Sequence, residues 1–414
     1  FMGALFVVFA VSMAIATFIE NDYGVEAARQ LVYKTKWFEV IFVLMVINFI
    51  GQIFHYKLYK LRKLSILIFH LAFIVIILGA GITRYFGHEG IMHLKEGESS
   101  SSYQTDRKYL QLSVEDDDGR VLYADAKPFV ITPVSADNYK RAFEAAGIQY
   151  RLEYQGYIPN ASEAVVDAPG GTPLIQLSVS RGMSDQHSII LAPGEAVGLQ
   201  DLKLGFFSND SLDVNITYQQ DTFYITADQK MNRFNMRDRK NTVYDEKERI
   251  VLGPMYVYNI SNWRLVVQKL TPSGAVRPVQ GRHRHQNAPA SHALKFTLTH
   301  GGQNEPIYVR FNSEGSTPAQ VQSNGSHITL DYARKKVKLP FSLHLEDFIL
   351  ERYPGSNSPS NYRSKVVLID QEKDLEKPFM IYMNHILKYK GYRFYQSSYD
   401  QDEKGSILSV NHDP

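Results

Sequence analysis

The sequence predicts a membrane protein with three N-terminal transmembrane α-helices and a large extracytoplasmic all-β domain, sandwich-like or barrel-like. Three long apolar runs fall before Thr83, and a bilayer core of ~30 Å needs about 20 apolar helical residues to cross it. Beyond Lys95 the chain instead breaks into short apolar runs of β-branched and aromatic residues, each closed by turn residues. The expected boundary lies between 1–87, the helical part, and 88–414, the β part, which has room for two subdomains.

The first span is expected over 1–19, which carries no charge. It lacks a basic leader region and an A-x-A site, so it reads as a retained helix rather than a signal peptide. The second is expected over 38–54, interrupted by Glu39, Asn48 and Gln52, and the third over 64–82, where His70 is the one ionisable residue. Between spans two and three, Lys57, Lys60, Arg62 and Lys63 stand without an acid, whereas Glu20, Asp22 and Glu26 offset Arg29, Lys34 and Lys36 between spans one and two. Basic residues concentrate in cytoplasmic loops, so span three runs outward and everything after Arg84 is extracytoplasmic. Trp37, Tyr56, Tyr59, Tyr85 and Phe86 sit at span ends, where aromatic side chains favour the interface.

Strands are expected at 109–114, 174–179, 213–218, 222–227, 294–298, 307–311, 366–369 and 379–383, many alternating apolar and polar as half-buried strands do. Ser99 to Gln104 reads as a serine-rich hinge. Residues 272–290, with Arg282-His283-Arg284-His285, read as an exposed loop, and Gly170-Gly171 and Gly301-Gly302 as turns.

With 45 basic against 43 acidic residues, no global field points to nucleic acid. The aromatic and basic segment 388–399 has the composition of a single-strand stacking surface, but its extracytoplasmic placement favours plain strand residues. Without cysteine there is no disulfide, thiolate metal site or thiol exchange in this chain. No nucleophile elbow, phosphate loop or dinucleotide fingerprint occurs, and no catalytic residue is evident.

His70 is the leading candidate site residue. It lies six residues into its span, about 9 Å deep at 1.5 Å per residue, with apolar neighbours on every side. Ionisable groups at such depth are costly and are retained for function. A neutral imidazole can be an axial ligand of haem iron or handle protons; equally, it can hydrogen-bond another helix, Asn48 or a backbone carbonyl. One histidine cannot ligate iron on both faces, so a second ligand would come from His55, another chain or residues beyond Pro414. His88 and His93, near Glu89, have a spacing that could hold a metal or simply form a surface turn. His385 and His412 are candidates for haem or apocytochrome contact, against roles in packing and turns.

His70-Leu71-Ala72-Phe73, followed by Gly79-Ala80-Gly81-Ile82-Thr83-Arg84, resembles the third span of the ResB (CcsB) family. Glu89-Gly90-Ile91-Met92-His93, Glu351-Arg352-Tyr353-Pro354-Gly355, Met383-Asn384-His385, Tyr392-Arg393-Phe394-Tyr395-Gln396 and Asn411-His412-Asp413-Pro414 extend the likeness to the distal region. The resemblance implies a multi-pass protein of the bacterial inner membrane acting in system II cytochrome c biogenesis. It implies work with a CcsA/ResC-type membrane partner to present haem b to apocytochrome c, amid membrane lipid and with no nucleic acid. It also implies that His70 is a haem axial ligand, the second ligand lying in the partner. The family's further span would follow Pro414, and its partner's tryptophan-rich motif is absent, Trp37 and Trp263 standing alone. The chain therefore reads as the ResB-like part of a CcsBA-type fusion or as a shortened stand-alone protein. The alternative is a non-catalytic membrane-anchored scaffold whose β domain binds apocytochrome or stabilises the partner. Too few spanning histidines count against a b-type respiratory cytochrome.

Overall fold

The computed structural model describes residues 1–132, 134–136, 138–182, 185–208, 211–281, 291–323 and 325–413. The three apolar runs form α1 (Met2–Tyr23), α3 (Lys36–His55) and α4 (Leu64–Phe86), each long and apolar enough to cross a membrane. Each passes the predicted ends by one to four residues, because backbone hydrogen bonding continues through polar residues that end an apolar run. Helix α1, for example, carries on through Glu20 to Tyr23 and stops at Gly24, whose φ of 87° suits glycine. The connection to α3 is more ordered than a loop: α2 (Val25–Ala28) passes into a π-helical turn, Arg29–Tyr33. Fully buried Ala27 and Ala28 hold it against the bundle, and Arg29 pairs with Glu26 at 2.8 Å.

The bundle core joins Leu5 and Ala16 of α1 to Phe38, Ile41, Met45 and Phe49 of α3, with Ile74 and Ile77 of α4 packed against it. Phe9 meets Phe38 and Phe42 with ring centres 6.0 and 5.7 Å apart. None of the residues of α4 is buried, so most of its surface is open to lipid or to another helix.

The chain divides into two compact units, 1–155 with 296–309 and 315–414, and 156–295 with 310–314. In the first, the main sheet orders its strands Leu375–Tyr382, Pro359–Asp370, Ser326–Arg352, Ser99–Asp116, His88–Lys95, Gly405–His412, Tyr392–Tyr399 and Leu387–Tyr389. The sheet curls over its own core of Met92, Leu94, Tyr103, Phe341, Leu343, Val366, Phe394 and Leu408. Thus the first strand after α4 lies mid-sheet, bonded on one side to Ser99–Asp116 and on the other to the distal strand Gly405–His412. The second unit is a sandwich. The sheet containing Ala161–Arg181 and Trp263–Gln280 packs Leu177, Val179, Tyr258 and Trp263 against Leu204, Phe206, Ile216 and Ile225 of a five-stranded sheet. Among the described residues of this unit, pairing is antiparallel apart from the short parallel pair Leu202–Phe206 with Val214–Gln219.

The expected fold class and each of the expected strands are present. Three local expectations are corrected. Ser99 to Gln104 is strand, not hinge: Ser99 pairs with His344 and Tyr103 with Val337, and Tyr103 is only 2 % exposed. Serine composition suggested a linker, but Tyr103 anchors the segment and small hydroxyls fit the sheet surface. Residues 272–280 end the strand Trp263–Gln280, while 282–290, including His283 and His285, lie outside the described residues. Gly170-Gly171 sits within the strand Ala161–Arg181 at a register shift, where a Cβ on Gly171 would lie 2.8 Å from Gly274 N. Close strand approach, rather than a turn, requires that glycine. Gly301-Gly302 is a turn, with φ of 53° and 77°.

Candidate functional site

His70 projects from α4 toward α3, half-buried, with the Phe49 ring edge-on at 5.6 Å and the Phe69 ring at 6.2 Å. Phe49 also stacks on Phe73 at 5.5 Å, so one aromatic of α3 positions two residues of α4 one turn apart. The imidazole Nδ1 is 2.8 Å from the Ile66 carbonyl oxygen, one turn back on the same helix. A carbonyl can only accept, so Nδ1 carries the proton of this bond, and in a neutral imidazole that leaves the Nε2 lone pair free. That arrangement is how a ligating histidine is oriented by its second nitrogen. The same bond also satisfies a polar group in an apolar span. Asn48 is engaged by Gln52 at 2.9 Å and is not the partner of His70. His55, at the end of α3 beside the basic loop, packs edge-on to Tyr56 at 4.8 Å.

The opposite ends of α3 and α4 are locked by charge. Glu39 accepts from Arg84 at 2.8 Å, from the Tyr85 hydroxyl at 2.8 Å and from Lys36 at 2.9 Å, while Arg84 also donates to the Tyr33 carbonyl at 2.5 Å. Glu39 reads in the sequence as a mere interruption of a span. The signal was available: an acid at the start of one span and a base at the end of the next meet when the two helices run antiparallel.

Of the other candidate histidines, His88 and His412 stand side by side, while His93 and His385 lie apart from them. His88 and His93 lie five residues apart on one strand, and an odd spacing points them to opposite faces. His93 Nε2 instead meets Asp400 Oδ2 at 2.7 Å. His385 is stacked between Phe379 and Tyr382, ring centres 4.8 and 4.6 Å away, and its Nδ1 bonds the Met380 carbonyl at 2.7 Å. His88 faces His412 across adjacent strands, and His412 packs on Tyr392. Among the described residues no three histidine or carboxylate side chains gather as a metal site. In the distal motifs Glu351 pairs with Arg363 and Arg352 with Glu403, which ties neighbouring strands and turns. Fully buried Asp370 accepts from Tyr389 at 2.6 Å and pairs with Lys390 at 2.8 Å. Those bonds hold its carboxyl down at about 2 and push the Lys390 amine up.

Together these features define a membrane-anchored β protein whose candidate polar site is a single oriented imidazole within a span. Residues 309–413 match the ResB-like family. The chain is also similar to Protein NrfI of Wolinella succinogenes, 30 % identical over 410 residues, which are 99 % of this chain and 31 % of NrfI. The chain thus spans about a third of the length of that curated relative. The ResB resemblance carried by the motifs is borne out by both matches.

Proposed function

We propose that this chain is a membrane subunit of cytochrome c biogenesis that holds haem b through His70 and presents it for attachment to apocytochrome c. The match to the ResB-like family and the likeness to NrfI support the role in cytochrome c biogenesis. The observation that carries the haem assignment is the Nδ1 bond of His70 to the Ile66 carbonyl, which leaves Nε2 free among apolar and aromatic groups. Those residues fit a porphyrin: an unprotonated nitrogen for iron, and rings and aliphatic side chains for the macrocycle. Bound haem supplies the iron porphyrin that becomes the cytochrome's cofactor. His70 would hold the iron through Nε2, with the Ile66 carbonyl fixing the imidazole tautomer and Phe49 fixing its plane. A further ligand would come from a CcsA/ResC-type partner packed against the open surface of α4. The β region is extracytoplasmic in the bacterial inner membrane, an orientation resting on the basic loop between α3 and α4. No bond-forming residue is assigned to this chain.

The same Ile66 bond favours a second reading, a scaffold in which the imidazole is satisfied without iron. An absorption spectrum of the chain purified with its partner, wild type against His70→Ala, separates the two. Loss of the low-spin haem bands with the complex intact supports the ligand assignment; an unchanged spectrum leaves the scaffold.

A further inference from the structure

The end of the main sheet nearest α4 carries two imidazoles that the proposal for His70 does not use. His88 opens the strand that follows α4 directly, after Gly87 alone. His412 closes the strand beside it, and the two are in register as direct cross-strand neighbours. Side chains of direct neighbours lie on the same face, and this face is the one that carries Gly90, Met92, Leu408 and Val410. The two rings have their centres 6.4 Å apart and their planes 63° apart. Tyr392, the partner of His412 on the next strand, packs its ring 4.2 Å from His412 on the side away from His88. Neither imidazole has a hydrogen bond or ion pair among the described residues. Elsewhere in the β region His93 and His385 each have one.

We propose that His88 and His412 form a two-imidazole site for a divalent late-transition-metal ion, with copper(II) the tightest of the series. The strand pairing sets both rings side by side on one face of the sheet, within reach of a shared ion. An imidazole nitrogen ~2.1 Å from a metal puts its ring centre about 3 Å away, so two rings sharing an ion stand up to about 6 Å apart. The observed spacing therefore needs only a small side-chain rotation at the exposed His88. Tyr392 braces His412 against turning away, and Gly391 leaves that ring space, since a Cβ there would lie 3.1 Å from His412 Nε2. Imidazole nitrogens are the borderline-soft donor set that copper(II), nickel(II) and zinc(II) prefer over magnesium or calcium. Water completes the coordination, because the site opens at the rim of the sheet. This site is independent of His70 and stands whether or not haem binds there.

The test is titration of the full chain in detergent with copper(II) alone, followed by electron paramagnetic resonance. The expected result is one copper with two nitrogen ligands in the wild type. His88→Gln and His412→Gln should each weaken it by about ten-fold or more and remove one nitrogen from the spectrum. His93→Gln should change neither. Should His412→Gln unfold the sheet, His88→Gln, at an exposed strand end, decides alone. Titrations and nitrogen counts that superimpose on wild type in His88→Gln would overturn the site and leave adventitious binding elsewhere.

Discussion

Replacing Gly90 by alanine puts a methyl carbon where neither neighbour can yield. The new Cβ would overlap the Gln104 carbonyl oxygen and lie 2.7 Å from Cε2 of Tyr103. The first is backbone in a paired strand, since Ile91 and Gln104 are register partners. The second belongs to a ring only 2 % exposed, wedged in the sheet core and edge-on to Tyr392 at 6.2 Å. Overpacking typically costs about 1–3 kcal/mol, and two immovable neighbours place Gly90→Ala near ~3 kcal/mol. At 1.4 kcal/mol per factor of ten, that is about a hundred-fold rise in local opening. Hydrogen exchange followed by mass spectrometry should show it in peptides from His88–Lys95, Ser99–Asp116 and Gly405–His412. Gly156→Ala is the control, with nothing within 4 Å of its Cβ, and should leave exchange unchanged. Equal protection in Gly90→Ala and wild type would refute the close-packing argument.

Leu343→Ala, fully buried in the same core, should cost about 3 kcal/mol by cavity formation, read as a lower denaturation midpoint with unchanged slope. Asp370 has a carboxyl held at about 2, below its ordinary value, so its stabilisation is present above about pH 4 and is lost as pH falls toward 2. The advantage in melting temperature of wild type over Asp370→Asn should therefore shrink across that window, and a constant gap would contradict the pairing with Lys390. Arg84→Gln removes the α4 arm of the Glu39 cluster and should lower the melting midpoint in detergent by several degrees while leaving helix content unchanged.

Much of this architecture was legible in the sequence because its signals are local. Apolar runs of bilayer length mark the spans, and alternation marks strands such as Thr222–Ala227. What was not legible depends on partners distant in the chain. Ser99 to Gln104 looks like a linker until 336–344 is laid beside it, and Gly90 looks ordinary until Tyr103 covers it. The pairing of His88 with His412 joins residues at opposite ends of the β region, so spacing pointed instead to His93, which the strand turns to the other face. His70 was visible because an imidazole in an apolar helix stands out; its Ile66 bond and its Phe49 neighbour needed the structure.

The central claim is that His70 offers Nε2 to haem iron inside the membrane. Its most direct test is chemical rescue: the His70→Gly chain, purified with the proposed CcsA/ResC-type partner, with the haem spectrum recorded before and after adding imidazole. The expected result is loss of the low-spin bands in His70→Gly and their return with imidazole, which fills the vacated position. Low-spin bands that persist in His70→Gly without imidazole would contradict it.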